Sequence, residues 1–517
     1  MLWTSRRFVT RSDRGDASRG RGSRPFPVRP DEPVSQTCAG PSFAQLLRRA
    51  RASICATLRV ARMAHGRIPV DEHREIQRSR IVARTSFNAD WWVSPNVSPF
   101  AQLNRNEDSR VAVTLPHDAM LSALRSADRG GGASTGYFEG GSVAYAKQFD
   151  VPEDWRTKRV TLEFEGAYRD AVVFVNGAYA AQRPSGYTMF RVGLDAFLEY
   201  GAQNTIRVET RAHQDSRWYP GLGLHRDVTL IITELAHFSA GGVRVTTPVV
   251  DDDLAVVEIV TQVANETISR QTLEVATRIV DAEGETVASD KAPITLRAGE
   301  AANVMQRLYV PSPRRWNVDS PHLYGALSEL GDAERVLDSA HTVFGIRTLT
   351  IDPFRGLRIN GEALKLRGAC IHHDNGILGA ASIGRAEERR IEILKAAGFN
   401  AIRSSHNPIS PRMLDACDRL GMLVMDEAFD MWTEPKTPYD YSLAFPEWWE
   451  RDIEAMVEKD FNHPSVIIYS IGNEVLDAGK PLGASWGRKL AAKVRSLDET
   501  RFITNAVSGF VSTLADV

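Results

Sequence analysis

Asn473 and Glu474 are the two residues of the sequence with the clearest chemical potential. They follow a short apolar run in SVIIYSIGNEV, residues 465–475, where Gly472 separates the run from the two polar side chains. Such a run predicts a buried parallel strand that delivers polar groups to its carboxyl end. A carboxyl group there, beside an amide that can bond to a sugar hydroxyl, suits a general acid for cleavage of a glycosidic bond. Taken alone, a Glu after a hydrophobic strand is more often a solvated or helix-capping residue.

Other strand-like segments in the same part of the chain also end in polar residues. These residues are His372, His373, Asp374, Arg403, His406, Asn407, Asp426, Glu427, Asp430 and Asn505. A lone His or Asp at such a turn is usually a capping or packing residue, and Arg403 with Asp426 could form a buried structural ion pair. Together, however, amides, imidazoles and carboxylates can hydrogen-bond sugar hydroxyls. Nearby Trp432, Trp448 and Trp449 can stack on sugar faces, although each tryptophan alone is more often a core residue.

Metal and phosphate chemistry lack the patterns that they require. His372 and His373 are adjacent, so on a strand they point to opposite sides, and neither HExxH nor a spaced Cys/His set occurs. The sequence also contains no P-loop for phosphoryl transfer. These absences favour carboxylate chemistry.

The segments that carry the polar residues alternate between strand and helix patterns from about Thr350 onward. They run from ALKLRGACI through SVIIYSIGNE to RFITNAV, with amphipathic helices between them. This alternation predicts a parallel α/β fold, and a (β/α)8 TIM barrel is favoured because no GxGxxG follows any strand. The second helix carries its own boundary signals, with Ser410 as N-cap, Pro411 at the first position and Gly421 just past the end.

Two all-β regions precede the alternating part of the chain. Residues 84–234 contain short alternating strands with Asn176-Gly177 as a hairpin turn, which predicts an antiparallel sandwich. Residues 236–347 repeat the pattern, and their number suits an immunoglobulin-like β-sandwich. No Cys-Trp-Cys signature accompanies this region, so its prediction depends on strand count and spacing.

Size and composition narrow the class of protein further. A chain of 517 residues exceeds one ordinary core, which predicts three or four domains. The formal net charge of −2 gives no overall field for nucleic acid or an anionic membrane, so we expect neither as a partner. The 4 cysteines form no CxxC pair and are expected to be reduced thiols in a cytoplasmic protein. No apolar run is long enough to span a bilayer. The sequence does not exclude a homo-oligomer, which is kept as an alternative to a monomer.

Residues 1–80 differ in composition from the rest of the chain. They are rich in Arg and Ser, interrupted by Gly and Pro, and poor in acidic residues. This composition predicts a disordered upstream extension, with Met63 as the natural start. An organellar transit peptide and a polyanion-binding segment are the alternatives.

Several motifs together carry a resemblance to a known family. They are LPHD at 115–118, FEGAYRDAVVFVNG at 164–177, SRWYPGLGLHRDV at 216–228, WNVDSPHLY at 316–324, FGIR at 344–347, LRGACIHHD at 366–374, NAIRSSHNP at 400–408, DEAFDMW at 426–432 and IGNE at 471–474. In these motifs the chain resembles glycoside hydrolase family 2, the group of β-galactosidases, β-glucuronidases and β-mannosidases. The resemblance implies a jelly-roll sugar-binding domain at 84–234, an immunoglobulin-like domain at 236–347 and the N-terminal part of a catalytic (β/α)8 barrel at 350–517.

The resemblance also implies a retaining exo-β-glycosidase that acts on oligosaccharides or other β-glycosides. Glu474 matches the acid/base of the family, and Asn473 matches the residue that bonds to the sugar 2-hydroxyl. The residues implied to line the substrate pocket are Asn473, His406, Arg403, Asp374, Asn407, Asp215, Trp218 and Trp432. The wording of IGNEV and DEAFDMW favours β-galactosides. A β-glucuronidase, a β-mannosidase and a non-catalytic carbohydrate-binding protein are the alternatives.

The chain departs from the family pattern at two points. The family nucleophile is a Glu at the end of the seventh barrel strand, whereas this chain ends at Val517, soon after the fifth predicted strand. We therefore expect a fragment that lacks the nucleophile and hydrolyses nothing detectably by itself. Met431 and Thr433 stand where some members have Glu and His ligands for magnesium, so we expect no active-site metal and no cofactor.

Overall fold

The computed structural model describes residues 83–96, 110–129 and 132–507. The predicted Arg-rich extension, residues 1–80, lies outside the described residues. Along the described chain, two antiparallel β-sandwiches precede a parallel sheet with helices. The change of hydrophobic period from two to 3.6 in the sequence predicts this order.

The first sandwich is built from short strands whose apolar residues alternate. Its strands are β1 (Ala83–Ser86), β2 (Trp91–Pro95), β3 (Val111–Val113), β4 (Gly141–Val151), β5 (Arg159–Phe164), β6 (Ala171–Val175), β7 (Ala178–Arg183), β8 (Phe190–Gly193), β9 (Ala202–Ala212) and β10 (Val228–Thr233). Strands β1, β10, β5 and β8 form one sheet in that order, and β3, β2, β4, β9, β6 and β7 form the other. Side chains of both sheets, including Trp91, Tyr145, Phe164 and Ile206, share one buried core.

The predicted hairpin turn at Asn176-Gly177 joins β6 to β7. Both turn residues have a positive φ, 48° at Asn176 and 82° at Gly177, as the tight hairpin turns that suit twisted strands require. A Cβ at Gly177 would meet no atom within 4 Å, so the backbone conformation rather than lack of space favours glycine there.

The second sandwich follows directly and uses longer strands. They are β11 (Ala236–Val250), β12 (Leu254–Asn265), β13 (Gln271–Val280), β14 (Thr286–Leu296), β15 (Ala301–Pro311), β16 (Tyr324–Gly331) and β17 (Val336–Phe344). The sheet β11-β12-β15 packs against the sheet β14-β13-β16-β17, with Val257, Ile259, Ile279 and Leu308 in the shared core. Inside this core the Thr277 hydroxyl donates to Gln306 at 2.7 Å, which satisfies two buried polar groups.

A short antiparallel sheet, which the sequence analysis did not anticipate, separates the second sandwich from the parallel strands. It consists of β18 (Leu349–Asp352), β19 (Gly356–Ile359) and β20 (Glu362–Ala363). Leu357 and Ile359 of β19 pack with Ala401, Leu423 and Ile467, which lie at the amino ends of three parallel strands. The predicted strand ALKLRGACI is therefore divided between β20 and the first parallel strand.

The parallel sheet positions the candidate site. Its elements are β21 (Gly368–His372), α1 (Gly384–Ala396), β22 (Ala401–Ser405), α2 (Pro411–Leu420), β23 (Leu423–Glu427), α3 (Phe445–Asp460), β24 (Val466–Asn473), α4 (Pro481–Leu497) and β25 (Phe502–Ala506). The strands lie side by side in sequence order and are parallel, the arrangement of a (β/α)8 barrel. All five carboxyl ends therefore meet at one edge.

Helix α2 has the boundaries that the sequence predicts. The Ser410 hydroxyl accepts a hydrogen bond from the Met413 amide, Pro411 occupies the first turn and Gly421 adopts the left-handed conformation with φ 70°. A side chain at Gly421 would also collide with the backbone of Val318, so close packing reinforces the choice of glycine. The cap fixes where α2 starts and thus the length of the loop that carries His406 and Asn407.

Buried polar contacts join both sandwiches to the parallel part. Arg183, at the end of β7, donates to Asp452 of α3 at 2.6 Å. Arg347 of the FGIR motif donates to the carbonyl oxygens of Pro464 at 2.7 Å and Val466 at 2.8 Å, at the start of β24. Each contact crosses between regions that are distant in sequence, so both sandwiches help to set the position of the sheet.

Two further sequence expectations concern thiols and membranes. Cys370 and Cys417 are free thiols, as expected, and the other two cysteines lie outside the described residues. No helix in the described ranges is both long and apolar enough to cross a membrane.

Candidate active site

Polar side chains from the ends of the parallel strands gather at one edge of the sheet, and a loop of the first sandwich reaches them. His372 ends β21 and His406 follows β22, and their rings lie 5.3 Å apart between centroids. Trp218, from the loop between β9 and β10, packs 4.6 Å from His372 and 5.4 Å from His406. The convergence predicted for the strand ends is therefore present, with the sandwich as one wall.

Glu474 follows β24 directly and presents its carboxylate to solvent. Its backbone adopts φ 44°, an unusual conformation for a residue with a side chain, and its amide donates to the Ala506 carbonyl oxygen at 2.5 Å. Half of the side chain, 50 %, is exposed, whereas the strand before it is almost wholly buried. The buried strand thus fixes the backbone while the carboxylate stays accessible to a ligand.

The amide of Asn473 is oriented by groups from two other strands. Its Nδ2 donates to Asp430 Oδ1 at 2.8 Å, and its Oδ1 accepts from Arg403 Nη2 at 2.7 Å. An amide has two N–H groups and an oxygen with two lone pairs, so one donor and one acceptor position remain. Asn473 can therefore still bond to a hydroxyl in a fixed orientation.

Glu427, at the end of β23, is a fully buried carboxylate held by three side chains. Arg403 donates to both of its oxygens at 2.7–3.1 Å, the His406 ring lies 2.7 Å from Oε1 and the Ser470 hydroxyl donates to Oε2 at 2.6 Å. These contacts correct one expectation, since Arg403 pairs with Glu427 and not with Asp426. The Asp426 carboxylate instead lies in the core, 3.1 Å from the Lys459 amine.

Burial and neighbouring charge suppress protonation of the histidine at the end of β21. Burial lowers the pKa of His372, and the adjacent His406 lowers it further. His372 is therefore held neutral and can serve as a hydrogen-bond partner in the site.

Asp430, on the loop after β23, is held by two cations. Arg217 donates to it through Nη2 at 2.8 Å and Nε at 3.2 Å, and the Lys436 amine donates at 3.0 Å. Burial alone would raise the pKa of Asp430, but the hydrogen bonds from Arg217 and the charge of Lys436 outweigh it and lower the pKa to about 2. Asp430 is thus ionised at neutral pH, and it orients Arg217, Lys436 and Asn473.

Asp215 and Asn407 lie beside Trp218 and Asp430 around a small pocket between the first sandwich and the parallel sheet. Asp215 is buried, and burial raises its pKa although the charge of Arg169, 3.5 Å away, opposes the shift. The structure therefore brings both residues to the site. Both line this pocket.

Asp374 lies two residues past the end of β21 and is half-buried. Its negative charge raises the pKa of Tyr187, which lines the same pocket, and opposes the lowering of the pKa of His372. His373 lies just past the end of β21, and its ring packs 4.5 Å from Tyr187. Of this pair, His372 is the one beside Trp218 and His406.

Trp432 does not lie in the pocket, which corrects the expectation that it contacts substrate. Its side chain is fully buried, and its indole N–H donates to the Ile471 carbonyl oxygen at 2.9 Å. A Cβ at Gly472 would lie only 2.9 Å from that indole nitrogen. Trp432 therefore supports β24 from within the core and has no free ring face for a sugar.

The structure adds site residues that sequence reasoning did not single out. Arg217 lies between the predicted site residues Asp215 and Trp218, so its position in the sequence is a signal for the site. Lys436, which also donates to the Asn473 carbonyl oxygen at 2.5 Å, and Ser470, which faces inward from β24, gave no signal of their own. Their roles depend on contacts across strands, which a linear pattern does not show.

The two positions compared with magnesium ligands lie close to the site but make other contacts. Met431 lines the pocket beside Asp430, and the Thr433 hydroxyl donates to Asp477. Within residues 83–96, 110–129 and 132–507, no three His, Cys, Asp or Glu side chains are grouped in a way that could hold a metal ion.

Relatives of known sequence and structure are similar to the chain over most of its length. Beta-galactosidase BoGH2A of Bacteroides ovatus is 38% identical over 426 residues, which are 82% of this chain and 49% of that protein. A putative beta-glucuronidase of Formosa agariphila is 33% identical over 81% of this chain and 40% of its own length. The crystal structure of a glycosyl hydrolase family 2 member from Bacteroides cellulosilyticus matches 84% of this chain and 57% of that chain, with 37% identity and a TM-score of 0.81.

Family models cover the second sandwich and the parallel part. The model of glycosyl hydrolases family 2 matches residues 236–347, and that of the TIM barrel domain of the same family matches residues 354–517. The chain spans about half the length of the curated relatives it matches. Together with the strand-end residues and the sandwich loop that meets them, these matches show that the chain belongs to glycosyl hydrolase family 2.

Proposed function

We propose that the protein is a retaining exo-β-glycosidase that hydrolyses terminal β-glycosides, with Glu474 as its acid/base. The observation that carries the proposal is that the three carboxylates near the strand ends differ in exposure and in hydrogen bonding. Glu427 is buried beneath Arg403, His406 and Ser470, and Asp430 is occupied by two cations, whereas Glu474 is half-exposed at the end of a rigid strand. Glu474 is the carboxylate of the three that can exchange a proton with a bound ligand.

In the first step, the carboxylate nucleophile attacks the anomeric carbon while the bond from that carbon to the leaving-group oxygen breaks. Glu474 transfers its proton to that oxygen, so the leaving group departs as a neutral alcohol. In the second step, Glu474 takes a proton from water as the water oxygen attacks the anomeric carbon and frees the nucleophile. Asn473 bonds to the sugar 2-hydroxyl, and His406, Arg403 and Asp374 shape the sugar pocket.

We infer that neither Glu427 nor Asp430 is the nucleophile. A nucleophilic carboxylate must lie about 5 Å from the acid/base and face the sugar. Glu427 has no exposed surface, and Asp430 already accepts hydrogen bonds from Arg217, Lys436 and Asn473. We therefore propose that the nucleophile lies outside the described residues, and we expect purified 1–517 to show no detectable turnover of a nitrophenyl β-glycoside.

A neutral sugar, and galactose in particular, is the proposed substrate. The cations at the described part of the site are all paired: Arg403 with Glu427, Arg217 and Lys436 with Asp430, and Arg169 with Asp170 and Asp215. Asp374 and Glu474 add negative charge. A sugar carboxylate would meet these anions without a free cation among the described side chains, so a β-galactoside fits better than a β-glucuronide. The β-galactosidase relative supports the same choice.

The experiment compares the full-length protein, as its gene encodes it, with Glu474→Gln and with Glu434→Gln as a matched control. Glu434 pairs with Lys480 at the surface. We expect Glu474→Gln to lower kcat/KM for an alkyl β-galactoside by about 100-fold or more, as loss of a general acid does, and Glu434→Gln to leave it unchanged. Turnover of a glucuronide or a mannoside, without turnover of the galactoside, would show that the enzyme acts on that sugar and not on galactose. Sugar binding without turnover of any of the three would support a carbohydrate-binding protein instead.

A further inference from the structure

Arg217 belongs to the first sandwich, yet its guanidinium lies at the end of β24. It stands on the loop between β9 and β10, and its Nη2 and Nε donate to Asp430 at 2.8 and 3.2 Å. Its third nitrogen, Nη1, lies 4.0 Å from Glu474 Oε2. The planar guanidinium of Arg217 therefore binds the buried Asp430 carboxylate and also lies near the exposed Glu474 carboxylate.

The Glu474 side chain has few other restraints. Its carboxylate is half-exposed, and within the described residues Arg217 is the one basic side chain that forms an ion pair with it. A long, half-exposed side chain populates several rotamers, whereas proton transfer to a leaving-group oxygen requires one defined position. The attraction of Arg217 favours rotamers in which the carboxylate points toward the guanidinium, as in the structure, where Oε2 lies 4.0 Å from Nη1.

Arg217 itself is firmly held. Asp430 binds two of its nitrogens in the forked geometry that guanidinium groups favour, and the Trp218 ring packs 4.8 Å from it. Asp430 is fixed in turn by Lys436 and Asn473. Since the single Asp430 carboxylate serves both Arg217 and Lys436, Glu474 supplies the second negative charge that balances these two cations.

The loop that carries Arg217 is anchored to the parallel part by Asp118 of the LPHD motif. The buried Asp118 carboxylate accepts hydrogen bonds from the Tyr219 hydroxyl at 2.7 Å, the Leu222 amide at 3.0 Å and the Ala380 amide at 2.9 Å. Ala380 lies on the loop between β21 and α1. A Cβ at Gly221 would lie only 2.5 Å from Ala380 Cβ. The two loops therefore pack so closely here that no side chain fits at Gly221.

We propose that Arg217 is a positioning residue that holds the Glu474 carboxylate toward the leaving-group oxygen. The first sandwich thereby supplies part of the acid/base apparatus of the barrel. This inference deepens the proposed function and rests on Glu474 as acid/base. The competing interpretation is that Arg217 only ties the sandwich to Asp430, as a structural ion pair would.

The test uses full-length protein with Arg217→Met, Arg217→Lys and the control Arg207→Met. Arg207 also forms an ion pair and packs on an aromatic ring, but with Glu209 and Phe174 on the first sandwich, away from the site. The value measured is kcat/KM, which reports the first step, for two β-galactosides. Dinitrophenolate leaves without a proton, whereas an alkyl alcohol leaves only when the acid protonates it.

We expect Arg217→Met to lower kcat/KM for the alkyl galactoside by roughly 10- to 100-fold, as a misplaced catalytic group does. For the dinitrophenyl galactoside the expected loss is less than about 3-fold, because that step needs little acid assistance. Arg217→Lys should recover part of the loss, since it keeps the charge but not the forked contact. Arg207→Met should match the wild type on both substrates.

Equal losses on both substrates, or losses no larger than those of Arg207→Met, would overturn the inference and leave a structural role. If Arg217→Met melts below the assay temperature, Arg217→Lys provides the same comparison between the two substrates. Glu474→Gln separates the two proposals. If that variant keeps full activity on the alkyl galactoside, the proposed function itself fails, whatever Arg217 does.

Discussion

Glu427 shows how one buried charge can organise an exposed site. Its carboxylate is fully buried but accepts hydrogen bonds from Arg403 and Ser470 and contacts the His406 ring, so the charge is compensated. Because Arg403 is fixed by this pair, its remaining contact with Asn473 Oδ1 is fixed as well. The orientation of the amide beside Glu474 thus depends on a carboxylate that never meets the ligand.

The pH dependence of stability should report the Asp430 cluster. Arg217 and Lys436 lower the pKa of Asp430 to about 2, from 3.8 in an unfolded chain. A lowered folded pKa stabilises the folded state above the unfolded value, and the stabilisation disappears as pH falls from about 4 to 2. At pH 7 the ionised form contributes about 2 kcal/mol by this linkage. We expect Asp430→Asn to remove it.

The measurement is the free energy of unfolding in urea at pH 7, 5 and 3. The gap between wild type and Asp430→Asn should be largest at pH 7 and should shrink by about half at pH 3, as partial protonation of the unfolded chain predicts. Asp150→Asn, at an exposed position, serves as the control and should show no such trend. A gap that stays constant with pH would mean that Asp430 does not titrate as described.

Residue types and strand ends predict much of the site but not the partner of each side chain. Asn473 ends β24, Glu474 follows it and His406 follows β22, as the strand-end rule predicts, whereas Arg403 lies within β22 and not after it. Trp432 follows the same rule in sequence, yet it is buried because its indole fills the space next to Gly472. Which face a loop residue takes depends on three-dimensional packing, and the pairing of Arg403 with Glu427 was missed for the same reason.

At the scale of elements, the contact between the β21–α1 loop and the first sandwich depends on glycine. Gly379 has φ 59°, and a Cβ there would collide with Asp118 Oδ2. Gly376 in the same loop has a similar φ of 57° but open space around it. The two positions therefore separate the effect of backbone conformation from that of the close approach to Asp118.

We expect Gly379→Ala to destabilise the protein more than Gly376→Ala. Both variants place a side chain at positive φ, at a cost of about 1 kcal/mol, and Gly379→Ala adds a steric clash of about 1–3 kcal/mol. Urea unfolding measures the difference. Amide hydrogen exchange should show faster exchange at residues 219–222 in Gly379→Ala alone. Equal destabilisation by the two variants would mean that the loops can separate without penalty.

The elements themselves were largely predictable because each carries a local signal. Alternation specified the sandwich strands, Asn176-Gly177 specified a turn, and Ser410, Pro411 and Gly421 bounded α2 as predicted. The short sheet β18–β20 was not predicted. Its strands are only two to four residues long, too short for a period to be visible, and tertiary contacts under the barrel strands stabilise them.

At the scale of the whole molecule, buried polar contacts make separate unfolding of the regions costly. Arg183 of the first sandwich and Asp452 of α3 are both buried, and burial raises the pKa of Asp452 while Arg183 opposes the shift. Removing Arg183 leaves a buried carboxylate without its cation. Loss of one partner of a buried pair costs about 3–5 kcal/mol.

We therefore expect wild-type protein to unfold in one thermal transition and Arg183→Met to lower its midpoint while keeping one transition. Tryptophan fluorescence reports Trp91 in the first sandwich and Trp432 in the parallel part, and far-ultraviolet circular dichroism reports the helices. The two signals should change together in both proteins. Arg207→Met, on β9 of the six-stranded sheet, should leave the midpoint within about 2 °C, as surface substitutions usually do. Two separate transitions in the wild type would contradict this coupling.

The Asp118 contact has a consequence for recombination between family members. Three of its hydrogen bonds join the loop around Tyr219 and Leu222 to Ala380, which lies beyond the second sandwich in sequence. A chimera joined at the border between the sandwiches and the barrel would take the Tyr219–Leu222 loop from one parent and the Ala380 loop from the other. These two contacting loops would then come from different proteins. The exchangeable module is therefore discontinuous along the gene: residues 115–122, 215–223 and 374–383 should be transplanted together.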